Sequence, residues 1–187
     1  MRQFDAWFVH AAAHGVDAPE AMALATADPD GRPAVRMVLL RGHGPDGFRF
    51  FSGYDSRKGR ELEANPQAAL LWHWAALGRQ VRAEGRVHVL SAEDSDAYYR
   101  SRPLDSRLGA WASDQSTVIG SRELLDEAMA AARSRFAGDE PPRPPRWGGF
   151  RLEPRAFEFW QHGPHRLHDR FRYTPEGGGW RIERLAP

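Results

Sequence analysis

Between residues 80 and 90 the chain places Val81, Ala83, Gly85, Val87 and Val89 at every second position, with polar or charged residues between them. Only an extended strand sends alternate side chains to opposite faces, so this stretch must lie in a sheet that is buried on one side. Three apolar stretches come earlier, at residues 21–27, 34–40 and 47–52. They are parted by Asp28-Pro29-Asp30-Gly31-Arg32 and Gly44-Pro45-Asp46-Gly47, whose Pro and Gly residues suit tight turns. These three are expected to form an antiparallel meander. Further strands are expected at residues 68–74, 149–152, 156–160, 166–173 and 180–185.

Helical spacing is local. Phe4, Trp7, Phe8 and Ala11 recur on one face of residues 2–14, with Gly15 as a stop. Ser56 opens SRKGRELEANP, expected as a short exposed helix with a cationic start that Pro66 ends. Ser91, with Asp94 three residues on, caps a helix running to about Ser101 before Pro103, and residues 121–136 repeat Leu124, Leu125, Ala128, Ala132 and Phe136 on one face. The Pro-rich GDEPPRPPRW connects without dividing domains, because strands resume at once. About seven short strands with peripheral helices argue for an α+β, mainly antiparallel β-barrel, and residues 1–187 read as a single domain.

Lys and Arg number 26 against 25 Asp and Glu, so a net charge of +1 supplies no broad field for nucleic acid or an anionic membrane. Any cationic site must be local. The absence of cysteine removes disulfides, thiolate metal ligands and thiol nucleophiles, and fits the expected cytoplasmic location. Arg2, Asp5 and His10 interrupt the apolar N-terminal positions, so neither a signal peptide nor a membrane span is expected.

Familiar nucleotide and hydrolase motifs are missing: G-x-G-x-x-G, the Walker loop, H-E-x-x-H, and G-x-S-x-G around Ser52 or Ser56. His162, His165 and His168 fall three apart in a Gly/Pro turn, a spacing that does not by itself converge imidazoles on one ion, and no metal is expected. Redox chemistry, if present, must therefore come from a borrowed organic cofactor. Two segments point to an anion. RMVLLR, residues 36–41, carries cations at both ends of an expected strand, and Arg57 and Lys58 follow a helix cap where free backbone N–H groups favour phosphate.

With RMVLLR and SRKGRELEANP, the chain also carries RQVRAEGR from residue 79, Tyr98, SRPLDSRLGAWASDQS from residue 101, WGGFRL from residue 147, EFWQHGPHRLHDRF from residue 158 and a terminal RLAP. In these ordered segments it resembles the pyridoxine (pyridoxamine) 5′-phosphate oxidase family over nearly its whole length. The resemblance implies an FMN-binding split β-barrel and a homodimer with FMN at its interface. It implies oxidation of pyridoxine or pyridoxamine 5′-phosphate to pyridoxal 5′-phosphate, with O2 as acceptor and hydrogen peroxide released. Carried over by residue, it assigns FMN contacts to Arg36, Met37, Val38, Leu39, Leu40, Arg41, Phe51, Ser52, Arg57, Lys58, Gln80, Gln115, Ser116, Trp160 and Arg170. Tyr98, Arg102 and Ser106, with Arg41, are assigned to the substrate phosphate; the spacing of four from Tyr98 to Ser106 would put those three near one helical face if the helix persisted past Pro103. Arg166 and His168, alternating across Leu167 on an expected strand, are assigned to the substrate ring and to catalysis.

The chain departs from the family pattern in places. Arg41 stands where Lys is usual, Phe51 where Tyr is frequent and Ser52 where Thr is common. Met1 nearly begins the first helix, so the basic and aromatic segment that family members carry ahead of it is expected to be missing. These departures support a second expectation, a related flavin oxidase acting on a phenazine-like ring. A non-catalytic flavin- or haem-binding split barrel is the third.

Overall fold

The computed structural model describes residues 1–187. Its helices are α1 (Arg2–Ala13), α2 (Arg57–Ala64), α3 (Ala92–Ser101), α4 (Leu104–Ala112) and α5 (Glu123–Arg135). Nine strands form one sheet: β1 (Ala21–Ala27), β2 (Pro33–Leu39), β3 (Gly42–Gly44), β4 (Gly47–Gly53), β5 (Gln67–Trp74), β6 (Arg79–Val89), β7 (Trp147–Gln161), β8 (Asp169–Glu176) and β9 (Gly179–Arg184). The order is β2-β1-β5-β6-β7-β4-β3, with β8 and β9 continuing from β7, and every pairing is antiparallel.

The fork lies at β7. One edge of this long strand pairs with β6, while the other divides between β4, opposite residues 147–152, and β8, opposite residues 157–161. A curled antiparallel sheet that splits in this way is a split barrel with peripheral helices, as the resemblance implied. The alternation in β6 buries Val81, Ala83, Gly85 and Val87 as expected, but Val89 at the strand end is 63% exposed. Inside the curl, Phe4 of α1 packs its ring edge-on to Phe48 and Trp72, at 4.8 Å from each, and the core closes with Met22, Leu24, Leu70 and Trp74.

The structure corrects several expectations. Nine strands are present, two more than the count of about seven, and the meander is only half formed. β1 pairs with β2, but β3 and β4 make a separate hairpin at the far edge of the sheet. Residues 149–152 and 156–160 belong to one continuous strand. Pro154 lies opposite Gly85 where the register slips past Arg155, so its missing N–H falls at a bulge and costs no ladder bond. Helix α2 is not simply exposed, because Lys58, Gly59, Glu61 and Leu62 are buried against the sheet. Helix α3 ends at Ser101, before Pro103, as expected, and a separate helix α4 begins at Leu104, so Tyr98, Arg102 and Ser106 do not share one helical face.

Candidate active site

A cleft of about 870 Å³ opens between β2, the end of β4, the start of α2 and the α3–α4 junction. Local chemistry explains its cationic floor. Ser56 caps α2 by accepting from Gly59 N at 3.3 Å. A Cβ on Gly59 would come within 1.9 Å of Tyr54 O, so only glycine lets the helix start press so closely against the chain leaving β4. This approach carries Lys58 inward, where its Nζ donates to Ser52 Oγ at 3.0 Å, Ser56 Oγ at 3.2 Å and Gln115 Oε1 at 3.0 Å. All three acceptors are neutral. Burial, reinforced by Arg36 and only partly offset by Glu61, lowers the Lys58 ammonium to about 8.

Beside Lys58 lies an ion cluster. Arg36 Nη2 donates to Glu61 Oε2 at 2.9 Å, while its Nη1 donates to Leu24 O and to Thr26 Oγ1. Arg57 Nε donates to Glu61 Oε1 at 2.7 Å, and the Thr26 hydroxyl donates to Oε2. Burial pushes the Glu61 carboxyl up, but the hydrogen bonds from Thr26, Arg57 and Arg36 and the charge of Arg36 outweigh it, leaving the group below its ordinary value.

The opposite wall is aromatic. Phe51 stacks on Tyr98 with centroids 3.8 Å apart, and Trp147 lies 5.7 Å from Phe51. Arg102 Cζ sits 4.6 Å from the Trp147 ring centroid, and its Nη1 is buried with no acceptor. Burial, only partly offset by Tyr98 and Tyr99, holds this guanidinium below its ordinary value, and Arg41 adds to the effect. Ser106 lines the same cleft from α4, so Tyr98, Arg102 and Ser106 converge although no continuous helix joins them. Gln115 and Ser116 close the rim. Ser116 holds φ +74, a left-handed conformation unusual for serine.

Among the residues assigned from sequence, Arg36, Met37, Val38, Leu39, Arg41, Phe51, Ser52, Arg57, Lys58, Gln115 and Ser116 all line this cleft with the substrate-phosphate trio. Leu40 does not; it is 5% exposed and belongs to the core. Gln80, Trp160 and Arg170 lie elsewhere on the sheet, directly opposite one another across β6, β7 and β8. Arg170 Nε donates to the buried Glu158 at 2.8 Å, and Glu158 also accepts from Arg82 at 3.0 Å. The His168 ring is 4.6 Å from Trp160, and its Nδ1 accepts from Gly163 N at 3.2 Å, so the neutral ring carries its proton on Nε2.

The strand expected at residues 166–173 is corrected here. Arg166 and His168 precede β8, and Arg166 ends the 3₁₀ turn Pro164–Arg166 with φ +64 beside His165 at φ +55. Alternation on a strand therefore does not place this pair. Sequence reasoning missed Glu61 and Trp147. Glu61 stood four residues after Arg57, a spacing that brings two side chains together on a helix, and that was its available signal.

A forked antiparallel sheet with a cationic cleft beside its edge strand is the architecture of the FMN-binding split barrels. More narrowly, this chain belongs to the pyridoxamine 5′-phosphate oxidase family and is an FMN-dependent oxidase. Residues 8–136 match the family model described as pyridoxamine 5′-phosphate oxidase, and residues 147–187 match the pyridoxine 5′-phosphate oxidase C-terminal dimerisation region. A pyridoxine/pyridoxamine 5′-phosphate oxidase of Bordetella petrii is 56% identical over 99% of this chain and 88% of its own length. One from Paraburkholderia xenovorans is 56% identical over 100% of this chain and 88% of its own. Among solved structures, PhzG from Burkholderia lata 383, in complex with tetrahydrophenazine-1-carboxylic acid, superposes with a TM-score of 0.94 at 34% identity. That match covers 100% of this chain and 91% of PhzG.

Proposed function

We propose that this enzyme oxidises pyridoxine 5′-phosphate or pyridoxamine 5′-phosphate to pyridoxal 5′-phosphate, with O2 as acceptor and hydrogen peroxide as product. Arg102 carries the proposal. A buried guanidinium N–H with no acceptor is costly, and a phosphate oxygen held between Arg102, Tyr98 and Ser106 would satisfy it with a charge-assisted bond. A neutral ring with no phosphate would leave that donor unmet.

The residues present fit FMN. The exposed fork of Arg57 and the ammonium of Lys58 suit its phosphate, and the apolar side chains of Val35, Met37 and Leu39 stand exposed along β2. The chemistry that FMN supplies when bound is acceptance of a hydride from the substrate C4′ carbon, followed by reoxidation by O2. The protein's own part is binding and orientation: Arg102, Tyr98 and Ser106 fix the substrate phosphate, while Arg166 and His168 hold the ring. Because Gln80, Trp160, Arg166, His168 and Arg170 lie away from the cleft, the complete site joins the cleft of one protomer to this second group from its partner in a homodimer. The dimerisation region at residues 147–187 contains all of the second group except Gln80, which supports that arrangement.

No helix is long and apolar enough to cross a membrane, and a cytoplasmic location is part of the proposal. The test is aerobic turnover of pyridoxine 5′-phosphate by the flavin-loaded enzyme, read as peroxide and pyridoxal 5′-phosphate in equal amounts. The likeness to PhzG favours a second reading, oxidation of a phenazine-like ring. Turnover of a reduced phenazine carboxylate without turnover of the phosphorylated pyridine would establish that reading instead.

A further inference from the structure

We propose that Glu61 is a positioning residue for the cofactor phosphate: its buried carboxylate clamps Arg57 and Arg36 together and aims the free fork of Arg57 into the cleft. The inference rests on the reading that Arg57 and Lys58 receive the FMN phosphate.

Local helix energetics do not explain the arrangement. Arg57 and Lys58 open α2, whose first turn carries no acidic residue, so both cations oppose the positive end of the helix dipole. The Arg57–Glu61 pair also runs in the less favourable sense, with the cation N-terminal to the anion. Three cations, Arg36, Arg57 and Lys58, line one wall of the cleft, and Glu61 is the carboxylate bonded to two of them. Without it they would repel one another before any ligand arrived.

The geometry assigns each oxygen a task. Oε1 holds Arg57 by Nε alone, and that side chain, 59% exposed, makes no other side-chain hydrogen bond, so both Nη groups remain available for a bidentate phosphate contact. Oε2 holds Arg36 Nη2 and the Thr26 hydroxyl, and Thr26 in turn receives Arg36 Nη1. Arg36 is thereby held through both Nη groups and acts as a fixed positive wall, while Arg57, held through Nε alone, is left as the adjustable hand. Glu61 lies 6% exposed beneath them and, unlike Lys58, does not line the cleft. Its carboxyl stays below the ordinary range, so the clamp is charged throughout neutral pH.

The test compares FMN with riboflavin, which lacks the phosphate, by quenching of flavin fluorescence on the apoprotein. Glu61→Gln keeps the size but removes the charge and turns an amide N–H₂ toward a guanidinium. It is expected to raise the FMN Kd about tenfold or more while leaving riboflavin within about twofold. Thr26→Val, a milder change to the same hub, is expected to produce a smaller loss with the same FMN selectivity, and it serves should Glu61→Gln not fold. Unchanged FMN affinity in the folded variants, or equal losses for FMN and riboflavin, overturns the positioning role and makes Glu61 a structural ion-pair partner. If the wild-type protein binds FMN no more tightly than riboflavin, the phosphate seat at Arg57 and Lys58 is itself wrong, and the role of Glu61 falls with it.

Discussion

Lys58 is the residue whose ionisation the fold disturbs most usefully. Its ammonium is brought to about 8 from an ordinary value of 10.5, so between those pH values the folded protein binds fewer protons than the unfolded chain. Below about pH 8 the apoprotein carries the full cost of a buried charge, and that cost is relieved as pH rises toward 10.5. A bound phosphate would favour the charged form and return the proton, so FMN affinity is expected to fall as pH rises above about 8, by up to tenfold per pH unit. Kd measured from pH 7 to 9.5 tests this, with Lys58→Arg as the control that stays flat because guanidinium keeps its proton. A flat wild-type profile would remove Lys58 from the phosphate seat.

The two proposed substrate groups differ in what they do for the reaction. On the proposed reading Arg102 meets a phosphate that is present in both ground and transition states, so Arg102→Ala is expected chiefly to raise KM. Arg166→Leu and His168→Ala, which loosen the reacting ring, are expected chiefly to lower kcat. Steady-state kinetics corrected for bound flavin separates the two patterns. If the Arg166 and His168 variants lose only thermal stability, those residues brace the turn before β8 and have no part in turnover.

At the scale of elements, the close seating of α2 on the end of β4 sets the site, and two glycines distinguish seating from mere helix content. Gly59→Ala forces a Cβ against Tyr54 O and is expected to cost roughly 1–3 kcal/mol, about 2–4 °C of Tm per kcal/mol in a chain of this size, with weaker FMN binding. Gly109 in α4 has no atom within 4 Å of an added Cβ, so Gly109→Ala is expected to be neutral or to stabilise by up to about 1 kcal/mol. Equal Tm values for the two variants would show that the contact at Gly59 relaxes freely.

The same elements mark how far the residues could be read without coordinates. Period-two alternation in β6, the Ser56 and Ser91 caps, and the turns before β2 and β4 are local signals, and each formed as local chemistry dictates. Two failures were non-local. Gly42–Gly44 is too short and too rich in glycine to announce a strand, and it exists only because β4 pairs with it. Pro154 looked like a strand break because its partner, the register slip at Gly85, lies about seventy residues away. The cationic cleft was legible because Arg57, Lys58 and the RMVLLR strand sit close in sequence. The placement of Arg166 was not, because its positive φ occurs at a residue that is not glycine.

At the scale of the whole molecule, the residues proposed for the site fall into two groups that do not share one cleft. The cleft carries Arg57, Lys58 and Arg102, while Gln80, Trp160 and Arg170 form a row on another part of the sheet. Edge strand β2 exposes Val35, Met37 and Leu39 at 69%, 64% and 40%, a surface that an isolated monomer would leave wet and open to pairing. If two protomers complete each other's sites, two different defects will compensate in trans. Arg57→Ala with Lys58→Ala disables the cleft, and Arg170→Ala disables the row. A heterodimer of the two variants then contains one site damaged on both sides and one built wholly from intact halves. Random reassociation makes about half the dimers mixed, so about a quarter of all sites regain tight FMN binding. Dissociating and remixing the two purified variants, then titrating flavin, reads that fraction directly. No recovery on mixing, with heterodimers verified by mass, would mean that each protomer builds its site alone.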